Sequence, residues 1–192
     1  MESLRKQFNT STLVLVPIAI AINIAVGTIV QRLGLPLYID SIGTVLVGAV
    51  AGPWAGALTG FLGSIVWAIS GLNAEAFFWA VVAAVIGFLA GVFGRRGWLK
   101  SPWKAGLAGV ITGVVAAGVS APIAAYGLEG VTGNLGTDAM VAAFRAAGMD
   151  MLGANLSQGF ASDPLDKLFT FVIVWAVLLG LPERVKTRFS GE

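Results

Sequence analysis

Charged residues along this chain fall in clusters, and the runs between them are apolar and as long as membrane-crossing helices. A hydrocarbon core of about 30 Å takes roughly 20 helical residues. No charge stands between Lys6 and Arg32, and 12–30 predicts the first span. Its length, and the lack of an Ala-x-Ala exit followed by a soluble domain, argue against a cleaved signal peptide. The uncharged stretch from Asp40 to Glu75 is too long for one crossing at about 1.5 Å per residue. Gly52-Pro53 divides it, because proline cannot continue a helix without losing a backbone bond. This predicts spans over 37–51 and 53–70. Further spans over 75–93, 102–126 and 164–181 bring the expectation to six in a single domain, 1–192.

Two features depart from bare spans. The segment 127–162 is long for a loop, and Met140, Phe144, Ala147 and Met151 recur at helical spacing with Asp138 and Arg145 off the stripe. This predicts a short amphipathic helix on the outer face before the last span, acting as an interfacial anchor or as a lid. Gly48, Gly52, Gly56 and Gly60 recur every four residues, and Gly87/Gly91 and Gly109/Gly113 repeat the interval. Small residues at that spacing let helix backbones approach closely. The expected fold class is an all-α membrane protein in the lipid bilayer.

Composition sharpens this. Hydrophobic residues make up 57% of the 192 and charged residues 11%, against about 25% charge in soluble domains. Mean hydropathy is +0.87. The net charge of +2 is too weak for a nucleic-acid partner. With no Cys and no His, thiolate and imidazole catalysis and metal sites built on those ligands are excluded. Six spans with the N-terminus inside leave Arg5, Lys6, Arg95, Arg96, Lys100, Lys104, Arg184, Lys186 and Arg188 cytoplasmic. Only Arg32, Arg145 and Lys167 fall outside. That asymmetry follows the positive-inside rule and puts both termini in the cytoplasm.

The polar residues in and beside the spans are the candidates for function. No Gly-x4-Gly-Lys-Ser/Thr occurs, so no P-loop hydrolyses nucleotide here. Asp163-Pro164 suits a helix start, with Asp163 as N-cap, the alternative being a ligand contact. Asp166 and Lys167 either pair at the outer interface or face a water-filled cavity and hold a ligand. Asn23, in mid-span, is expected to hydrogen-bond a neighbouring backbone. Asn73, Glu75 and Trp79 cluster at the outer end of a hairpin, with Trp79 one turn beyond Glu75 on the same face. Tyr38 and Asp40 precede the second span, and Asn155 and Gln158 are amides suited to a neutral heterocycle. All of these except Asn23 lie on the outer side.

The order and spacing of several local patterns resemble one family. They are Ala21-Ile22-Asn23-Ile24-Ala25, the segment from Leu35-Pro36 through Tyr38, Asp40 and Thr44, Gly52-Pro53-Trp54, Asp163-Pro164-Leu165-Asp166-Lys167, and Leu181-Pro182-Glu183-Arg184. Over nearly the whole chain these resemble the substrate-binding S components of energy-coupling factor (ECF) vitamin transporters. The resemblance implies a non-enzymatic subunit without a cofactor in a prokaryotic cell membrane. It would capture a vitamin-like molecule at its outer end and associate with a transmembrane coupling subunit and two cytoplasmic ATPases. It also implies docking of the coupling subunit on Ala21 and Ala25, and ligand contacts from Tyr38, Asp40, Asn73, Glu75, Trp79, Asn155, Asp166 and Lys167. No signature of the riboflavin, thiamine or biotin members is present, so the ligand is open. A stand-alone ion-coupled carrier, a receptor or sensor domain, and an intramembrane enzyme using Asp150, Asp163 or Asp166 are the rival classes.

Overall fold

The computed structural model describes residues 7–182, and within them the chain is helical with no strand. Asn9 starts α1 (Thr10–Arg32), its Oδ1 accepting the Thr12 amide at 2.8 Å. After an extended stretch comes α2 (Ile42–Ala51), then α3 (Pro53–Ile69). Between α2 and α3 the backbone reverses at Gly52, whose φ of 114° is a conformation L side chains rarely adopt. A 3-10 turn, Ala74–Trp79, leads into α4 (Ala80–Arg95), and a second, Trp98–Lys100, precedes α5 (Pro102–Gly127). The short α6 (Leu135–Ala146) is followed by α7 (Met151–Gly180), which at 30 residues is about 45 Å long.

Among the described residues, three helical stretches are long and apolar enough to cross a membrane: Thr10–Arg32, Ala74–Arg95 and Pro102–Gly127. The surface agrees. Leu13, Val14, Ile18 and Ile29 of α1, and Leu165, Phe169, Ile173 and Val177 of α7, are exposed, while Asn23, Thr44, Asn155, Asp163, Asp166 and Lys167 are buried. In water such an apolar surface would be costly, whereas lipid tails match it. The chain is thus all-α and compatible with a membrane protein.

The structure corrects the expected elements in three places. The second span begins at Ile42, not at residue 37, leaving α2 only 10 residues, about 15 Å and too short to cross alone. The last helix begins at Met151, where the Asp150 carboxylate caps it by accepting the Gly153 amide at 2.9 Å. Asp163 is therefore not an N-cap, and Pro164 lies inside the helix. The outer stripe also breaks: α6 ends at Ala146, Ala147 is exposed, Met151 belongs to α7, and the buried residues of α6 are Thr137 and Val141.

Close glycine contacts hold the bundle together. A Cβ on Gly56 would stand 2.3 Å from the Gly87 carbonyl oxygen, and one on Gly60 2.2 Å from that of Ala83, so α3 and α4 touch backbone to backbone. On α5, a Cβ at Gly109 would meet the Lys167 carbonyl at 2.3 Å, and one at Gly113 that of Asp163 at 2.4 Å. The α5–α7 pair is the most extensive helix contact in the molecule. It fixes the polar stretch Asp163–Lys167 in the interior. Apolar side chains, among them Val45, Ile86, Ala116 and Phe171, complete the core around it.

Candidate functional site

Three connections gather at one end of the bundle: the segment after α1, the turn after α3, and the segment between α5 and α6. Cross-links tie the first of these to the third. Asn134 Nδ2 donates to the Leu37 carbonyl at 2.9 Å while its Oδ1 caps α6 at Gly136. Gln31 Nε2 donates to the Gly133 carbonyl at 3.3 Å. The Thr132 amide and hydroxyl both donate to Asp138 Oδ1, at 2.6 and 2.7 Å.

Beneath this cover lies a cavity. Its walls come from α1 (Asn23, Gln31), the entry to α2 (Tyr38, Asp40, Ser41, Thr44), α3 and the turn after it (Trp67, Asn73, Ala76, Trp79), α4 (Val82, Ile86), α5 (Ala116, Ser120, Ala124) and α7 (Asn155, Gln158, Asp163, Lys167). The space open to the centres of water-sized molecules is about 100 Å³. One water needs roughly 10–15 Å³ by that measure, so the cavity holds several waters or one small organic molecule.

An ionic knot closes one wall. The Lys167 side chain, 4% exposed, pairs with Asp166 Oδ2, donates to Ser41 Oγ at 2.9 Å and lies 3.7 Å from Asp40 Oδ1. Its Nζ sits over the Tyr38 ring, 6.0 Å from the centre. The second oxygen of Asp166, Oδ1, accepts the amides of Tyr38 and Ile39 at 2.9 and 2.7 Å. Ile39 has φ of 47°, rare for a β-branched residue, and the Asp166 carboxylate holds it there. Ser41 Oγ in turn donates to Asp40 Oδ1 at 3.1 Å.

Asn23 joins α1 to the start of α2. Its Oδ1 accepts the Gly43 amide at 2.7 Å and its Nδ2 donates to Thr44 Oγ1 at 2.8 Å. The expected interhelical bond to backbone exists, with a side-chain bond added. A Cβ on Gly43 would lie 2.2 Å from the Ala19 carbonyl oxygen, so the helices meet closely where the amide bridges them.

Of the residues nominated from sequence, Tyr38, Asp40, Asn73, Trp79, Asn155 and Lys167 line this one space. Asp166 stands behind Lys167 and reaches the loop backbone rather than the cavity. Glu75 is half-buried and does not line it; its Cβ lies near Gly133. Asn73 also has a structural duty, its Oδ1 capping the 3-10 turn at the Ala76 amide, 3.1 Å away. Ala21 and Ala25 lie on the exposed side of α1 beside Ile18, Ile22 and Ile29.

Sequence reasoning missed Trp67 as a cavity residue and favoured capping over a ligand contact for Asp163, which lines the cavity. Trp67 is 6% exposed and carries no local polar cue. Asp163 did have a signal: Asn155, Gln158, Ser162, Asp163, Asp166 and Thr170 form a polar stripe at helical spacing, which marks one continuous helix face. Two buried polar atoms on cavity-lining residues, Trp67 Nε1 and Asn155 Oδ1, have no hydrogen-bond partner among the described residues. One is a donor and one an acceptor, and leaving either unmet costs about 1–3 kcal/mol.

Comparison with family models, curated proteins and solved structures gives no match.

Proposed function

We propose that this chain is the membrane-embedded substrate-binding subunit of an ECF-type importer. It captures a vitamin-like small molecule in the cavity and passes it on with a transmembrane coupling subunit and two ATPases. The observation that carries the reading is a small-molecule-sized cavity inside an apolar bundle, bearing an unmet donor and an unmet acceptor. Ligand sites are mostly apolar with a few convergent polar groups, and the walls here have that make-up. No group of three or more His, Cys, Asp or Glu able to hold a metal ion occurs among the described residues.

In this reading the chain crosses a prokaryotic cell membrane six times, by α1, α2 with its extended entry, α3, the 74–95 stretch, α5 and α7. Both termini are cytoplasmic and the cavity opens outward. The Lys and Arg expected on the cytoplasmic side include Arg95, Arg96, Lys100 and Lys104 around the α4–α5 connection, and their clustering supports that orientation. Five of those bases, Arg5, Lys6, Arg184, Lys186 and Arg188, lie outside the described residues, as does the Glu183-Arg184 end of the tail motif. The exposed α1 face with Ala21 and Ala25 at its centre supports close approach of a second membrane helix.

The test is copurification joined to binding. Tagged protein expressed in its source cells should retain a coupling subunit and ATPases, and Ala25→Trp should lose them while keeping its ligand. A thermal-shift screen of water-soluble vitamins and their precursors should find a stabiliser, since a ligand at 100 times its Kd adds about 2.7 kcal/mol. A chain that transports alone in liposomes under an ion gradient would make it a self-sufficient carrier instead.

A further inference from the structure

If the cavity is a ligand site, as proposed above, the charges around it select the ligand's class. Among the described residues, the charged side chains lining the space are Asp40, Asp163 and Lys167, with Asp166 directly behind. Among the described residues Lys167 pairs with Asp166 and Asp40, and Asp163 stands outside those pairs. An ammonium has three donors; two of those of Lys167 go to Asp166 and Ser41, and Asp40 lies 3.7 Å away as a second counter-charge. An anionic ligand would compete with two carboxylates for that ammonium.

Asp163 is in the opposite position. It is 6% exposed and lines the cavity. Its hydrogen-bond donor among the described residues is the Ser162 hydroxyl at 3.3 Å, itself held by Gln158 Nε2 at 2.6 Å. One long neutral bond compensates a buried carboxylate poorly. A second, independent feature asks for the same chemistry. Asn155 is 1% exposed, and its Nδ2 is used on the Met151 carbonyl at 2.9 Å. That bond fixes Oδ1 as the free end, an acceptor without a donor on a cavity-lining residue. The indoles of Trp67 and Trp79 supply aromatic walls, which attract cations. Among the described residues no group of three or more His, Cys, Asp or Glu able to hold a metal ion occurs.

We propose that the cavity binds a small planar organic monocation of the amidinium or protonated aminoheterocycle class. Its charge is set against Asp163, an N–H against Asn155 Oδ1, and its ring against the indole walls.

The test uses three probes of one shape and different charge on the purified full chain in nanodiscs: benzamidine (cation), benzamide (neutral) and benzoate (anion). Calorimetry should give benzamidine about tenfold tighter binding than benzamide, the scale of one charge-assisted hydrogen bond, with benzoate weakest. Asp163→Asn should bring benzamidine and benzamide to within about threefold of each other. Should that variant fail to fold, the wild-type series still decides. Equal or tighter binding of benzamide or benzoate overturns the cation class while leaving a ligand site, and hence the binding-subunit reading, standing. Absence of benzamidine binding at millimolar concentration overturns the inference as well; the wider reading then rests on its own vitamin screen and copurification.

Discussion

Asp166 and Tyr38, 128 positions apart in sequence, are joined by a 2.9 Å hydrogen bond from the Tyr38 amide to Asp166 Oδ1. The same oxygen accepts the Ile39 amide, and the other oxygen pairs with Lys167. One fully buried carboxylate thus neutralises an interior ammonium and pins the backbone that covers the cavity. Removing it should expose both duties. Asp166→Ala is expected to destabilise the protein by about 3–5 kcal/mol, the usual cost of breaking a buried ion pair. Asp166→Asn keeps an acceptor for the loop but loses the charge, so it should be destabilised less. Hydrogen exchange separates the roles: the Tyr38 and Ile39 amides should lose protection in the Ala variant and keep it in the Asn variant. Equal protection in both would show that the loop does not depend on this carboxylate.

The glycines of α5 offer a paired test. A Cβ on Gly113 would lie 2.4 Å from the Asp163 carbonyl and 2.5 Å from Pro164 Cα, both backbone atoms that cannot swing aside. Gly113→Ala should push α5 and α7 apart, lower the melting temperature and weaken ligand binding together. Gly118 lies further along the same helix, and a Cβ there would have nothing within 4 Å of it. At that position Gly→Ala should be neutral or stabilising by up to about 1 kcal/mol, because alanine loses less entropy in a helix. Similar melting of the two variants in detergent would contradict close packing at Gly113.

How much of this was legible in the residues differs by element. The starts of α3 and α5 were readable because Pro53 and Pro102 are local signals that tertiary structure did not override. The start of α7 was not. Asp163-Pro164 has the chemistry of a helix start, yet Asp150 supplies the cap well before it in the chain. What permits three charges and a proline inside the helix is non-local: Gly109 and Gly113 admit its backbone, and Ser41, Asp40 and the loop amides satisfy its side chains. The candidate site was legible as a set of residues with polar or aromatic chemistry near span ends. Its geometry was not, because whether Glu75 or Asp163 faces the cavity depends on helix rotation and on a 3-10 turn at 74–79 that hydropathy does not reveal.

Asn23 should behave as a structural bridge. Its two bonds hold the Gly43 amide and the Thr44 hydroxyl at the start of α2. Asn23→Leu leaves the Gly43 amide without that acceptor, and such a loss costs about 1–3 kcal/mol. Thr44→Val should be milder, because it removes the hydroxyl together with its need for a partner. A double-mutant cycle between the two should give a coupling energy of at least about 0.5 kcal/mol. Additivity would mean that the Asn23–Thr44 bond contributes nothing of its own.

Trp79 and Glu75 separate the geometry of the cavity from the proximity of the two residues in sequence. They are neighbours on the 74–79 turn, and a helical reading puts them on one face. The turn is 3-10, however, so residues four apart are rotated away from each other, since its side chains eclipse at i and i+3. Trp79 lines the cavity and Glu75 does not. Trp79→Ala is therefore expected to weaken binding of whichever vitamin or precursor the thermal-shift screen identifies by about tenfold or more, on the scale of losing an aromatic wall and roughly one or two kcal/mol of contact. Glu75→Gln should leave affinity within about threefold of the wild type, because Glu75 is half-buried with its Cβ near Gly133 and does not line the cavity. Melting curves run on the same samples guard against misfolding: both variants should keep their unliganded stability within about 1 kcal/mol except for the apolar area Trp79 loses. A Glu75→Gln variant that binds about tenfold more weakly, with Trp79→Ala unchanged, would reverse the assignment and place the ligand over the outer turn instead of beneath it.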